Sequence, residues 1–227
     1  MDPVSDARDL VAARFPGVRA AFLGGGVLSR QCTATSDLDI VVLLAGPPAP
    51  FRESVRWRGW PVELFVHDRA SLARYFDVDT AARKPSLARM VAGGTALTGG
   101  ADVVADVTDL ARAVLAAGPP APDPADLDRR RYGLTDLLDD LAGCTDPGEA
   151  AVIGWTVWTR TAELALLLSG SWLGGGKWLL RELRTADPAL AAELVAGIGD
   201  PALLTAAADK VLGRTGGRLW AGYRAAG

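Results

Sequence analysis

The sequence predicts an α+β protein with two domains: an N-terminal mixed-sheet domain with flanking helices, and an all-helical C-terminal domain. Apolar runs of strand length alternate with helical periodicity in the first half of the chain. A Pro-rich linker reading GPPAPDP (residues 118–124) ends this half, and the pattern beyond it is helical throughout. These observations place the two domains at residues 1–118 and 119–227, in a chain long enough for two small cores.

Strands and helices follow one another along the N-terminal domain. In chain order, the expected elements are a helix over 5–15, strands over 18–23 and 37–44, strands over 51–57 and 62–67, helices over 69–75 and 85–91, a strand over 95–98 and a helix over 101–116. The turn Gly59-Trp60-Pro61 is so short that the strands on either side of it must be antiparallel. The sheet is therefore expected to be mixed.

The C-terminal domain shows helical periodicity only. Its first helix is expected to bury a leucine stripe formed by Leu127, Leu134, Leu138 and Leu141. A long apolar helix over 149–169 follows, with Trp155 and Trp158 expected in the core. Further helices are expected over 177–184 and within 188–224.

Composition and charge exclude several classes of function. A net charge of −3 and a pI of about 5.2 disfavour nucleic acid as a partner, because no overall positive field attracts a polyanion. No apolar run reaches the length of a bilayer span, so we expect a cytoplasmic protein without a membrane segment. Two cysteines and one histidine are too few for a disulfide framework or a His-based zinc site. No pattern indicates an oligomeric state.

The stretch reading LGGGVLSRQCTATSDLDIVVLL contains the candidate site. Its glycine turn, Gly24-Gly25-Gly26, follows a strand and precedes a helix start, a layout that presents backbone N–H groups to a phosphate. Asp37 and Asp39 then begin an apolar run, and alternate side chains of a strand share one face. Two like charges about 7 Å apart on a buried strand are costly unless a cation binds between them. The stretch therefore predicts a divalent metal site.

Two common phosphate-binding motifs do not fit this turn. A dinucleotide fingerprint GxGxxG would need glycine where Ser29 stands, and a P-loop would need a lysine that the segment lacks. A Gly-Gly turn followed after ten residues by Asp-x-Asp resembles the DNA polymerase β-like nucleotidyltransferase superfamily. Its signature, hG[GS] and then Dh[DE]h, is filled by LGGG at 23–26 and DLDI at 37–40. The alternative is a turn before an edge strand with solvated aspartates, which the apolar run disfavours.

The resemblance implies a third carboxylate on a neighbouring strand, and Glu63 in the run PVELFV is the match. It implies that Asp37 and Asp39 hold two Mg²⁺ ions, with Glu63 as a general base or a further metal ligand. The residues expected to hold the triphosphate of ATP or another NTP are Gly25, Gly26, Ser29 and Ser36. The alternative for Glu63 is an ion pair with one of the arginines of residues 52–58.

The two-domain layout looks most like the aminoglycoside nucleotidyltransferases, the antibiotic-resistance branch of the superfamily. Members commonly hold the triphosphate with a basic residue of the helical domain, which makes Lys177 and Arg181, on one helix face, the candidates. A solvated basic face is the alternative. The helix after the linker carries three acids, Asp136, Asp139 and Asp140. This acidic face could hold ammonium groups of an acceptor, and the alternative is a solvated face.

The reaction that this resemblance implies is Mg²⁺-dependent transfer of a nucleoside monophosphate from an NTP to a hydroxyl group of a small molecule, with release of pyrophosphate. The acceptor would be an antibiotic or an intermediate of natural-product biosynthesis. Two alternatives stay open. One is a nucleotidyltransferase that modifies protein or tRNA, as in toxin–antitoxin systems, for which the arginine run 129–131 and the arginines of residues 52–58 are the only support. The other is a non-catalytic nucleotide-binding protein.

Overall fold

The computed structural model describes residues 2–28, 33 and 35–224. Within these residues it contains a five-stranded mixed sheet and nine α-helices, which confirms the α+β class predicted from the sequence. The chain divides into two compact units, one ending at Gly118 and the other beginning at Pro119. In the described part of the chain, no helix combines the length and the apolar character needed to cross a membrane.

The five described strands lie in the first unit and form one sheet in the order β3-β4-β2-β1-β5. They are β1 (Ala20–Gly24), β2 (Leu38–Leu43), β3 (Phe51–Trp57), β4 (Trp60–His67) and β5 (Thr95–Gly99). β2 and β4 are parallel, whereas the other neighbouring pairs are antiparallel. The β3–β4 turn, Arg58-Gly59, has positive φ at both residues (46° and 89°), as the twist of a tight hairpin favours. The predicted mixed sheet and its antiparallel hairpin are therefore confirmed.

Four of the described helices accompany the sheet, and five build the second unit. They are α1 (Pro3–Arg14), α2 (Arg69–Ala81), α3 (Ser86–Ala92), α4 (Ala101–Ala117), α5 (Pro124–Gly143), α6 (Pro147–Leu168), α7 (Lys177–Ala186), α8 (Pro188–Ala196) and α9 (Pro201–Gly213). At five helix starts an aspartate accepts a backbone N–H of the first turn and proline takes the first helical position. These pairs are Asp2-Pro3, Asp123-Pro124, Asp146-Pro147, Asp187-Pro188 and Asp200-Pro201.

Helices cover both faces of the sheet, and alternation along each strand decides which face a side chain lies on. Leu38 and Ile40 of β2 point to the face covered by α1. Val41 and Leu43 point to the face covered by α2, α3 and α4. Because side chains alternate along a strand, Asp39 shares this second face with Val41 and Leu43. The face covered by α2, α3 and α4 therefore carries the candidate site at one end.

The second unit has its own core, formed by α5 to α9. The residues of the predicted stripe on α5 that take part in it are Leu127, Leu134, Leu138 and Leu141. Trp158 is only 4% exposed, and its indole N–H donates to the carbonyl oxygen of Leu194 at 3.0 Å. Trp155 is 60% exposed, so its prediction as a core residue is wrong. The loop between α8 and α9, around Ile198, leaves a groove beside this part of α6 instead of covering it.

His67, the single histidine of the chain, is buried at the end of β4. Burial lowers the pKa of its imidazole below the ordinary 6.5, and Nδ1 has no hydrogen-bond partner among the described residues. The unfolded chain therefore takes up a proton at a higher pH than the folded protein does. We expect the free energy of unfolding to decrease as the pH falls from about 7 toward the folded-state pKa.

Urea unfolding of the wild type and of His67→Gln, at about pH 7.5 and about pH 5.5, measures this dependence. The wild type should lose more stability between the two pH values than the variant, because the variant lacks the only histidine. Equal losses in the two proteins would contradict the prediction.

Candidate functional site

Three carboxylates converge where the start of β2 lies beside the middle of β4. Asp37, Asp39 and Glu63, the acid cluster, each offer one carboxylate oxygen, and these oxygens all lie within 4.8 Å of one another. The parallel register of β2 and β4 places Asp39 opposite Glu63, and Asp37 directly precedes β2. All three residues are half-buried. Like charges gathered in this way favour the binding of a cation.

Burial on the opposite face of the sheet fixes this register. Leu38 and Ile40 of β2 are fully buried in the core beneath α1, as are Val62 and Leu64 of β4. A shift of one residue in either strand would bury an acid and expose these apolar side chains. The apolar residues that alternate with the acids therefore hold the carboxylates together.

The glycine turn lies directly against Asp39. Because β1 pairs Gly24 with Asp39, the chain leaves β1 beside the acid cluster. Gly25 has a φ of 79°, and a Cβ at this position would overlap Oδ2 of Asp39. Only glycine combines this backbone conformation with so close an approach. Gly26 then begins a short 3-10 turn, Gly26–Leu28, and apart from its chain neighbours no atom of the described residues lies within 4 Å of where its Cβ would be.

The structure describes one of the two serines predicted to contact a triphosphate. Ser29 lies outside the described residues. Ser36 directly precedes Asp37, and its Oγ accepts the backbone N–H of Thr33 at 2.9 Å. The backbone N–H of Ser36 in turn donates to the Thr33 carbonyl oxygen at 3.0 Å. The Ser36 side chain therefore stabilises the turn that leads into β2, and its contact with a triphosphate stays a prediction.

Glu63 also forms the ion pair that was the alternative to a catalytic role. Its Oε2 accepts a hydrogen bond from Arg52 of β3 at 2.5 Å, and the Arg52 guanidinium lies 4.8 Å from the centre of the Phe65 ring. The side chains of Arg52 and Glu63 are 61% and 31% exposed, so water screens the pair and it adds little stability. Glu63 takes part in both the ion pair and the acid cluster, and Arg52 orients its carboxylate.

Arg52 is a residue of the site that the sequence pattern did not single out. The β3–β4 register places Ser54 opposite Glu63 and Arg52 opposite Phe65, so Arg52 reaches Glu63 diagonally across the two strands. The sequence predicts only that one of the arginines of residues 52–58 could pair with Glu63. The alternation of Arg52, Ser54 and Arg56 along β3 does not identify which arginine contacts the acid.

Lys177 and Arg181 lie on α7 in the second unit. Lys177 is exposed at the first position of the helix, and the Arg181 guanidinium lies 4.5 Å from the centre of the Trp178 ring. Their contact with a triphosphate stays a prediction. Of the three exposed acids on α5, Asp139 pairs with Arg218 at 3.0 Å, which neutralises part of that face.

Comparison with known protein families finds no family that matches the chain. Comparison with curated proteins likewise finds no match. Among solved structures, the chain is similar to a crystal structure of a nucleotidyltransferase-like protein from Exiguobacterium sibiricum 255-15, with 14% sequence identity and a TM-score of 0.48. The match covers 93% of this chain and 75% of that chain. The acid cluster and the glycine turn themselves indicate the chemistry of the site.

Proposed function

We propose that the first unit is the catalytic domain of a nucleotidyltransferase of the DNA polymerase β-like superfamily. The observation that carries the proposal is the acid cluster beside a glycine turn whose backbone lies against Asp39. Nucleotidyl transfer needs such an arrangement, because a triphosphate and a hydroxyl group must meet at a metal site. In this proposal the second unit, from Pro119 onward, binds substrate or nucleotide.

The donor set of the acid cluster fits Mg²⁺. Carboxylate oxygens are hard ligands, and Mg²⁺ is usually bound through one or two carboxylates together with substrate phosphates. Asp37 and Asp39 would hold two Mg²⁺ ions, with Glu63 as a further ligand or as the base. Bound Mg²⁺ neutralises phosphate charge and lowers the pKa of the acceptor hydroxyl.

Different groups of the first unit bind the triphosphate, accept the proton and position the base. The backbone N–H groups of the turn at Gly25 and Gly26 hold the triphosphate of ATP or another NTP. Glu63 accepts the proton of the acceptor hydroxyl, whose oxygen forms a bond to the α-phosphorus. The bond from the α-phosphorus to the oxygen that bridges to the β-phosphorus breaks, and pyrophosphate leaves. Arg52 keeps the Glu63 carboxylate in position for the proton transfer.

A small hydroxylated molecule is the acceptor that we favour. The net charge of −3 provides no overall attraction for nucleic acid. Each arginine of the run 129–131 pairs with Asp126 or Asp128 of its own helix, so the run offers little uncompensated charge to the phosphates of tRNA. Antibiotic resistance, as in aminoglycoside nucleotidyltransferases, is one form of this proposal, and modification of a natural-product intermediate is another.

A transfer assay tests the proposed function. The protein is incubated with each NTP, labelled at the α-phosphate, together with Mg²⁺ and separate panels of small hydroxylated molecules, tRNA and proteins. Label on a small molecule supports the proposal, whereas label on tRNA or protein supports the toxin–antitoxin alternative. Tight binding of Mg·NTP without transfer to any panel would support the non-catalytic nucleotide-binding alternative.

Glu63→Gln should slow transfer steeply while sparing nucleotide binding. The amide keeps the size of the side chain but cannot accept the hydroxyl proton, and the loss of a general base slows a reaction by about 10²- to 10⁴-fold. Transfer rates and calorimetric titration with Mg·ATP measure the two effects. The matched control is Glu53→Gln on β3, whose carboxylate pairs with Arg14 and should leave both quantities unchanged. A wild-type rate in Glu63→Gln would assign Glu63 a structural role.

A further inference from the structure

A cavity lies on the same face of the sheet as the acid cluster, between the β3–β4 edge and helices α2 and α3. Its volume is about 380 Å³, toward the lower end of the range for small-molecule sites. Its walls include the aromatic side chains of Phe65 and Tyr75 and the imidazole of His67. A cavity of this size with aromatic walls suits a molecule of one or two rings.

The cavity begins next to Glu63. Glu63, Phe65 and His67 are alternate residues of β4, so each lies about 7 Å from the next on one face of the sheet. The Arg52 guanidinium contacts the first two of them, since it pairs with Glu63 and lies over the Phe65 ring. Glu63 itself does not line the cavity, so a molecule there would reach the Glu63 carboxylate past the Arg52 guanidinium.

The order of the strands puts the cavity on one particular side of the acid cluster. Across the sheet, the glycine turn follows β1, Asp39 belongs to β2, Glu63 to β4 and Arg52 to β3. A triphosphate held by the turn approaches the acids from the β1 side. The sheet residues that line the cavity belong to β3 and β4, so a molecule in the cavity approaches the acids from the β3–β4 side. An acceptor on one side of the acids and a triphosphate on the other would suit in-line displacement.

The charges around the cavity do not suit a polycation. Arg52 is already paired with Glu63, and Asp79 in the wall accepts the backbone N–H of Leu87 at 2.9 Å. Burial raises the pKa of Asp79 and lowers the pKa of His67, which favours the neutral form of both groups. The described lining residues therefore offer no surplus of negative charge to several ammonium groups.

We propose that this cavity is the acceptor site, and that the acceptor is an uncharged, mainly apolar compound of one or two rings that carries a hydroxyl group. This inference rests on the proposed function, because it takes Glu63 as the base that receives the hydroxyl proton. It departs from the polycationic acceptor that the likeness to aminoglycoside nucleotidyltransferases implies.

Binding of 2-(4-hydroxyphenyl)ethanol and 2-naphthaleneethanol, measured by saturation-transfer NMR, tests the site. Ser86 is exposed at the start of α3 and lines the cavity, so Ser86→Phe fills the cavity without entering the core, and Ser86→Ala is the matched control. Both compounds should bind the wild type and Ser86→Ala, and Ser86→Phe should weaken their binding by about tenfold or more. Failure of both compounds to bind the wild type, or equal affinities of the two variants, would overturn the proposal.

Titrations with Mg·ATP and with kanamycin separate this proposal from the proposed function. Binding of the two alcohols should persist at saturating Mg·ATP, because donor and acceptor must be bound together. Displacement by Mg·ATP would overturn the acceptor assignment, and displacement by the polycationic kanamycin would overturn the chemical class. Calorimetry should find equal Mg·ATP affinities for the wild type and Ser86→Phe. Absence of Mg·ATP binding would overturn the proposed function itself, whatever the two alcohols do.

Discussion

Asp39→Asn is expected to abolish Mg²⁺-dependent nucleotidyl transfer while leaving the fold intact. Asp39 lies between the glycine turn that follows β1 and Glu63 of β4, so it adjoins both halves of the site. The amide keeps the shape of the side chain and removes one charged ligand of the proposed metal site. Because a metal ion contributes several kcal/mol to transition-state stabilisation, we expect a rate loss of about 10³-fold or more.

The same substitution should change how stability responds to metal. Three carboxylates within 4.8 Å of one another repel in the absence of a cation, and removing one charge relieves that repulsion. In EDTA, Asp39→Asn should therefore melt at the wild-type temperature or above it. Mg²⁺ should raise the melting temperature of the wild type, because in the proposed site the ion would bind the folded cluster and not the unfolded chain. The variant should show little such increase.

Transfer rates measure the first effect, and calorimetric melting in EDTA and in Mg²⁺ measures the second. The melting experiment needs no acceptor. The matched control is Asp77→Asn, an exposed acid of α2 outside the acid cluster, which should keep the wild-type Mg²⁺ response and rate. Normal turnover by Asp39→Asn, or an undiminished Mg²⁺ response, would remove the metal site from the proposal.

Local patterns predict the elements of this fold better than their boundaries or their order. The polar alternation in residues 51–57 and the short turn after them predict β3 and its hairpin, because both signals lie within a few residues. The helices predicted over 5–15 and 149–169 begin earlier, at Pro3 and Pro147, since the preceding aspartates accept N–H groups of the first turn. The strand order depends on packing between distant residues, which no local pattern encodes.

In the site, too, residues close together in the sequence are predictable, whereas contacts between distant residues are not. Asp37 and Asp39 lie with the glycine turn in one stretch, so the sequence alone predicts them as metal ligands. The position of Glu63 opposite Asp39 depends on parallel pairing of β2 with β4, two strands that β3 separates along the chain. The contact of Arg52 with Glu63 and the cavity beside it depend on the β3–β4 register and on the packing of α2 and α3. A resemblance that covers only the sequence motifs therefore does not identify the acceptor molecule.

Gly25→Ala is expected to disrupt the site from the side of the glycine turn. Its φ of 79° lies in the left-handed region, where an L-residue costs about 1–2 kcal/mol more than glycine. The added Cβ would also overlap Oδ2 of Asp39, so either the turn or the carboxylate must move. Since a displacement of about 1 Å at a reacting centre can cost about 10²-fold in rate, transfer and Mg·ATP affinity should both fall steeply.

Gly170→Ala is the matched control, because it separates backbone strain from the overlap with Asp39. Gly170 has a similar φ of 65°, but apart from its chain neighbours no atom of the described residues lies within 4 Å of its Cβ position. Both variants should melt below the wild type, and only Gly25→Ala should lose affinity for Mg·ATP in calorimetric titration. If the two variants bind Mg·ATP equally well, the close approach of the turn to Asp39 does not position the triphosphate, and the phosphate-binding role of the turn fails.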